Sequence, residues 1–202
     1  MEVTEIVFLS SRRARLKVEI PETEPYTTHG DARTPRLLFR LLPRLAAQRC
    51  HNDGGYSFRR EAQATEIPHL FEHIILEIQD QVRRGLGAPF AGETQWNWTV
   101  DPRGHFYVTV DYENEIVALG AIRLAERVIN ALDSKDTIRV DMTREIARLR
   151  ELARLSRRYH YAPCRAGAES VPAPSPMHKK SAGFSSEEPA GLLHSLSEPV
   201  TA

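Results

Sequence analysis

Two short runs of β-favouring residues open the chain, "TEIVFLS" and "ARLKVEI", separated by "SRR". Their spacing predicts a hairpin. A stretch rich in turn formers follows, and then "PRLLFRLLPRLAAQ", whose apolar residues recur at helical intervals, with Pro43 marking a kink or the junction of two short helices. "HNDGGYS" reads as a loop, because Asp53, Gly54 and Gly55 accept the backbone angles of a tight turn. From Arg59 to Arg84 the pattern is helical again. Thr65, Glu66 and Pro68 mark a start, and Gly85 and Gly87 mark a stop.

Beyond the glycines, "ETQWNWTV" and "HFYVTVDY" alternate as strands do and are joined through "DPRG". "ENEIVALGAIRLAERVINAL" and "MTREIARLRELARLSRR" are amphipathic helices, the second with Ile146, Leu149, Leu152 and Leu155 along one side. The order ββααββαα predicts an α+β domain over residues 1–160, an antiparallel sheet of two hairpins with helices packed on it. Residues 161–202 break the pattern. They are rich in Pro, Ser and Ala, with apolar residues only scattered, and cannot bury enough surface to offset the entropy of ordering. A disordered tail is expected there.

Composition narrows the function classes. In 202 residues, 27 Lys and Arg balance 27 Asp and Glu, which argues against a general nucleic-acid or membrane-surface binder. The two cysteines, Cys50 and Cys164, lie far apart and form neither a disulfide framework nor a CxxC zinc site. Cys50 reads as a small buried hydrophobe. No apolar run is long enough to span a bilayer, and the first residues place their apolar stretch ahead of their charges, the wrong order for a signal peptide. A soluble, cytoplasmic protein is expected.

The candidate chemistry lies in "IPHLFEHIILEIQ". On a helical wheel, Ile67, Leu70, Phe71, Ile74, Ile75, Ile78 and Val82 form one stripe. His69, Glu72 and His73 gather opposite, within roughly 100°. Histidines at i and i+4 can share one ion, and imidazole nitrogens suit zinc. A neighbouring carboxylate that stays off the metal can take a proton from water. H-x-x-E-H is moreover the inverted form of the zinc-peptidase motif. The polar side of an ordinary surface helix is the competing reading. Against it, Leu76 lies in the polar sector, and no Lys or Arg does. A third ligand has to come from another element, with a carboxylate favoured. Arg59 and Arg60, just before the motif, could grip a substrate carboxylate or form local salt bridges. Trp96 and Trp98, two apart on a strand, could stack on a substrate but more readily pack against a helix.

The stretch from residue 50 onward resembles the N-terminal domain of cyanophycin synthetase. The resemblance is carried by Cys50, Gly54, Gly55, Phe58, Arg60, Thr65, His69, Glu72, His73, Leu76, Glu77 and Gln79, then by Gly92 and Thr94, and by "FYVTVDYENE" with the helix after it. It implies a stand-alone N-terminal domain, without the ATP-grasp and Mur-ligase-like domains that make the polymer. Two family properties come with it. One is a hold on the growing polymer, an aspartate backbone bearing arginine in side-chain amide linkage. The other, in some synthetases, is a metallopeptidase-like centre that cuts it. Carried over, His69 and His73 are zinc ligands and Glu72 is the general base. Glu115 is favoured as third ligand and Glu113 is its alternative. The family pattern differs at Pro68 and over residues 85–103, which hold both tryptophans.

The expectation that follows is a zinc-dependent hydrolase of amide bonds, acting on cyanophycin, a related peptide-like polymer or a small peptide. Its rivals are a non-catalytic module that holds such a polymer or a partner synthetase, and a metal site that only stabilises the fold. A homo-oligomer is compatible with each.

Overall fold

In the second strand, β2 (Arg13–Glu19), Ala14, Leu16 and Val18 are fully buried while the residues between them are half-buried or exposed. The last strand, β4 (His105–Asp111), repeats the pattern with Phe106, Val108 and Val110. The register pairs Ala14 with Val110, Leu16 with Val108 and Val18 with Phe106, so the two apolar rows form one continuous inner face. Between them stand Arg15, Lys17 and Tyr107 on the outer face, where the Arg15 guanidinium lies over the Tyr107 ring. A half-wet antiparallel sheet requires this division.

The computed structural model describes residues 1–9, 11–50, 55–133 and 140–160. β1 (Glu2–Leu9) pairs with β2, and β3 (Gly92–Gln95) pairs with β4, giving a four-stranded antiparallel sheet in the order β1-β2-β4-β3. The sheet is made of the two predicted hairpins, which meet along β2 and β4. Five α-helices accompany it: α1 (Arg33–Leu41), α2 (Phe58–Glu61), α3 (Ile67–Val82), α4 (Glu115–Asp133) and α5 (Met142–His160). The expected C-terminal tail, residues 161–202, lies outside the described residues.

Pro43 ends α1 and begins a short 3-10 helix, Pro43–Ala47, which resolves the kink-or-junction alternative in favour of a junction. The helical run expected from Arg59 to Arg84 is broken. α2 stops after one turn, and residues 62–66 lead into α3 in an irregular path pinned to the segment before α1. Thr28 N–H donates to Thr65 O, Thr28 Oγ1 to Ala62 O, and Ile67 N–H to Tyr26 O. α3 then ends at two left-handed residues, Arg84 and Gly85, with Gly87 following in the same conformation. Trp96 and Trp98 fall beyond the end of β3. Trp98 packs on Tyr26 and Phe106 and donates to His105 O, and Trp96 is more exposed beside it.

α3 is the central helix, and here the simple two-sided wheel fails. Its apolar stripe faces the sheet and α4, but every residue from Leu70 to Gln79 is buried, including Glu72, His73, Glu77 and Gln79. The side predicted to be polar is covered by the 3-10 helix, by α2 and by β3. Helical periodicity records hydrophobic against polar. It does not record whether the polar side meets water or other polar groups.

Candidate metal centre

Four segments meet over the covered side of α3. The helix forms the floor of a cleft of about 1360 Å³. Gln48, Arg49 and the residues before them form one wall, and β3 with the loop that leads into it forms the other. His69, Glu72, His73 and Leu76 line the floor.

His69 and His73 lie one turn apart, with ring centroids separated by 4.9 Å. The third donor beside them is a sulfur. Cys50 Sγ is 3.4 Å from His69 Nε2, and one ligand atom from each of Cys50, His69 and His73 lies within 4.8 Å of the others. Such a group could hold a metal ion.

The side chains around it fix which ring nitrogens face inward. Gln48 Oε1 is 2.7 Å from His73 Nδ1, and an amide oxygen can only accept, so Nδ1 carries the proton and Nε2 keeps its lone pair. The same amide donates through its nitrogen to Glu77 Oε2 at 3.1 Å, which settles its orientation. At His69, Nδ1 is 2.7 Å from Thr65 Oγ1. The hydroxyl anchors that side of the ring, and Nε2 faces Cys50. Phe58, fully buried, stacks on the His73 ring at 3.7 Å and meets His69 edge-on. Both ring planes and the His73 tautomer are therefore set by the fold, as metal-ligating histidines require.

Burial holds both imidazoles neutral. It lowers the pKa of His73 to about 3, with the neighbouring His69 adding to the effect, and it lowers that of His69 as well. Glu72 shifts the other way. Burial raises its carboxyl to about 7, partly opposed by the Thr94 hydroxyl, which donates to Oε2 at 2.7 Å. Gly92 lies against the same carboxyl. A Cβ at that position would come within 2.8 Å of Glu72 Cγ and Oε1. Glu72 is thus boxed in by β3 and sits beside the histidine pair without belonging to the close donor group.

Several predicted residues lie elsewhere. Glu115 opens α4, is exposed, and stands 3.5 Å from the Tyr112 hydroxyl. Glu113, also exposed, bonds Arg83. Neither lines the cleft. Where a carboxylate was expected beside the two histidines, the structure places the Cys50 thiol. The acidic run lies after β4, where Glu113 pairs with Arg83 at the rim and Glu115 opens α4. Arg59 and Arg60 are exposed and lie over the rings of Phe39 and Tyr56. The arginines that line the cleft are Arg44, Arg49 and Arg83.

The sequence reading missed Cys50 as a donor, Gln48 and Thr65 as partners of the histidines, and Thr94 as the partner of Glu72. For Cys50 a signal existed. A cysteine preceding an H-x-x-E-H pair by one loop completes a three-donor set of sulfur and nitrogen. Gln48 and Thr65 carry no comparable signal, since polar residues of this kind are common in loops.

Residues 15–134 match the model of the cyanophycin synthase-like N-terminal domain, an interval that runs from β2 to the end of α4 and contains every residue of the cleft. The chain belongs to that family. No curated protein matches it. Cys50, His69, Glu72, His73, Gly92 and Thr94 all fall within the matched interval. Helix α5 lies past the matched interval and packs on α4, where Gly120 lets Leu149 approach. No helix among the described residues is long and apolar enough to cross a membrane.

Proposed function

We propose that the protein is a zinc-dependent hydrolase of amide bonds, acting on cyanophycin or a related peptide-like polymer. One observation carries the reading: Cys50, His69 and His73 converge on the cleft floor with Glu72 next to them. The donor set fits the ion. With Zn–S about 2.3 Å and Zn–N about 2.0–2.1 Å, two ligands of a tetrahedral ion stand roughly 3.5 Å apart. Cys50 Sγ and His69 Nε2 are 3.4 Å apart. Three protein donors leave a fourth position for chemistry, as catalytic zinc sites do.

Zinc bound there would supply Lewis acidity, which polarises an amide carbonyl and acidifies water. The remaining work belongs to side chains. Glu72 takes a proton from the attacking water and returns it to the leaving amine. Thr94 and Gly92 hold its carboxylate from the β3 side. Gln48 and Phe58 keep His73 presented through Nε2, and Thr65 anchors His69 at Nδ1. The walls limit access of bulk water to the floor, where His73 and Glu72 are 3% and 4% exposed.

The test pairs elemental analysis of protein purified without added metal with an assay on cyanophycin and small peptides. About one zinc per chain, with turnover abolished and zinc retained in Glu72→Gln, is the expected result. A chain without stoichiometric metal would favour the binding-module reading. Zinc whose removal lowers the melting temperature, in a protein that cleaves nothing, would mark a structural ion.

A further inference from the structure

β3 stands at the edge of the sheet, and one of its sides has no partner strand among the described residues. Which main-chain groups face that side follows from the ladder. Asp111 N–H donates to Ala91 O at 2.8 Å, while Ala91 N–H donates to Asp111 Oδ2, so residues 91 and 111 face each other as a bonded position of the ladder. In an antiparallel ladder the bonded pairs alternate, and the next are Glu93 with Thr109 and Gln95 with Tyr107. The other side of β4 agrees. Ile20 N–H donates to Gly104 O and Tyr112 N–H to Arg12 O, which assigns Phe106, Val108 and Val110 to β2 and leaves Tyr107, Thr109 and Asp111 for β3. The N–H and C=O of Gly92 and Thr94 therefore point outward, and no described residue bonds to them.

Those two residues also hold Glu72. Their side-chain positions turn toward α3, where Thr94 donates to the carboxylate and Gly92 makes room for it. Gly92, Glu93, Thr94 and Trp96 line the cleft over the two histidines. A row of main-chain groups without a partner among the described residues thus runs along the rim of the site, with the proposed general base fastened to the same short strand.

We infer that the outer edge of β3 seats the main chain of the substrate, which adds as a further strand and lays its amides across the floor formed by His69, Glu72 and His73. The inference rests on the hydrolase reading, since it states how an amide would reach that centre. The substrate class it names is an extended polyamide backbone, held through its peptide groups and not chiefly through its side chains. Two residues with outward N–H and C=O offer two donors and two acceptors, the ordinary means of strand addition at a free edge. Side chains of a seated strand would alternate, one set toward the floor and the next toward solvent.

The test uses the full chain carrying Glu72→Gln, so that a bound probe is not consumed. Two probes are used: an aspartate decamer bearing arginine in side-chain amide linkage, and a mixed-sequence decapeptide. Amide exchange at Gly92 and Thr94 is followed by NMR. In the protein alone these amides should exchange freely, and at least one probe should slow them tenfold or more. N-methylation of that probe at successive amides should weaken binding tenfold or more at every second position and little at those between.

A probe that binds without protecting Gly92 and Thr94 would overturn the inference, as would uniform tolerance of N-methylation. So would failure of both probes to bind, or protection already present in the protein alone through pairing with a second copy. Zinc analysis and turnover of the unsubstituted protein separate the two readings. A zinc-loaded, active protein lacking the protection sinks strand addition alone. Protection without zinc or turnover sinks the hydrolase reading and leaves a main-chain binding edge.

Discussion

Gln48 accepts the Nδ1 proton of His73 at 2.7 Å, across 25 positions of sequence. The same amide binds Glu77, so its two ends cannot exchange roles without losing both bonds. A residue just past a 3-10 helix thereby decides the tautomer of a histidine on the central helix. Gln48→Leu should keep the fold and weaken metal affinity about 10–100-fold, the usual effect of removing a partner that orients a ligand. Competition with a chromogenic chelator measures it, and unchanged affinity would show that Phe58 stacking alone orients the ring.

Gly92 offers a second handle. Alanine there would place a methyl 2.8 Å from Glu72 Cγ, against a side chain that is itself buried. Gly92→Ala should cost roughly 1–3 kcal/mol of stability. Its turnover should fall tenfold or more while zinc content stays near that of the parent, because the donor set does not include Glu72. Denaturant unfolding, elemental analysis and the amide assay together check this.

The metal-free protein should carry an acid sensitivity that originates at His73. Its folded-state pKa of about 3 lies below the ordinary histidine value because the ring is buried. The unfolded chain therefore binds the extra proton first. Stability from this group is fully present above about pH 6.5 and is lost progressively as the pH falls toward 3, by an amount on the order of a few kcal/mol. Comparing urea unfolding of the chelated parent with that of chelated His73→Gln across this window isolates the effect. The variant should show a flatter acid limb.

A prediction away from the cleft tests the fold itself. Gly104, in the turn before β4, has φ of +83°, and a Cβ there would lie 2.2 Å from Ile20 O. Gly104→Ala should destabilise by about 2 kcal/mol or more and lower the melting temperature by several degrees. Zinc stoichiometry of the folded fraction should not change, since this turn does not line the cleft.

Much of the architecture was legible in the chain because each signal is local. Ala14, Leu16 and Val18 alternate with polar residues, and so do Phe106, Val108 and Val110, which suffices to name two strands and their inner faces. Pro43 and Gly85 punctuate helices for reasons that act within a few residues. The pairing of His69 with His73, and the place of Glu72 beside them, follow from helical geometry alone.

The rest depends on which segments the fold lays over that helix. Cys50 and Gln48 reach the histidines because the 3-10 helix packs against α3, and Thr94 reaches Glu72 because β3 is the edge strand. Glu115, plausible by its acidic surroundings, is carried to the start of α4 and away from the cleft. Periodicity thus determined the helix and its trio of polar side chains. Only tertiary packing decided that Glu72 and His73 are buried, that sulfur and not carboxylate lies beside the histidines, and that a strand edge unpaired among the described residues borders them. Contacts between residues distant in sequence leave no period in the chain to read.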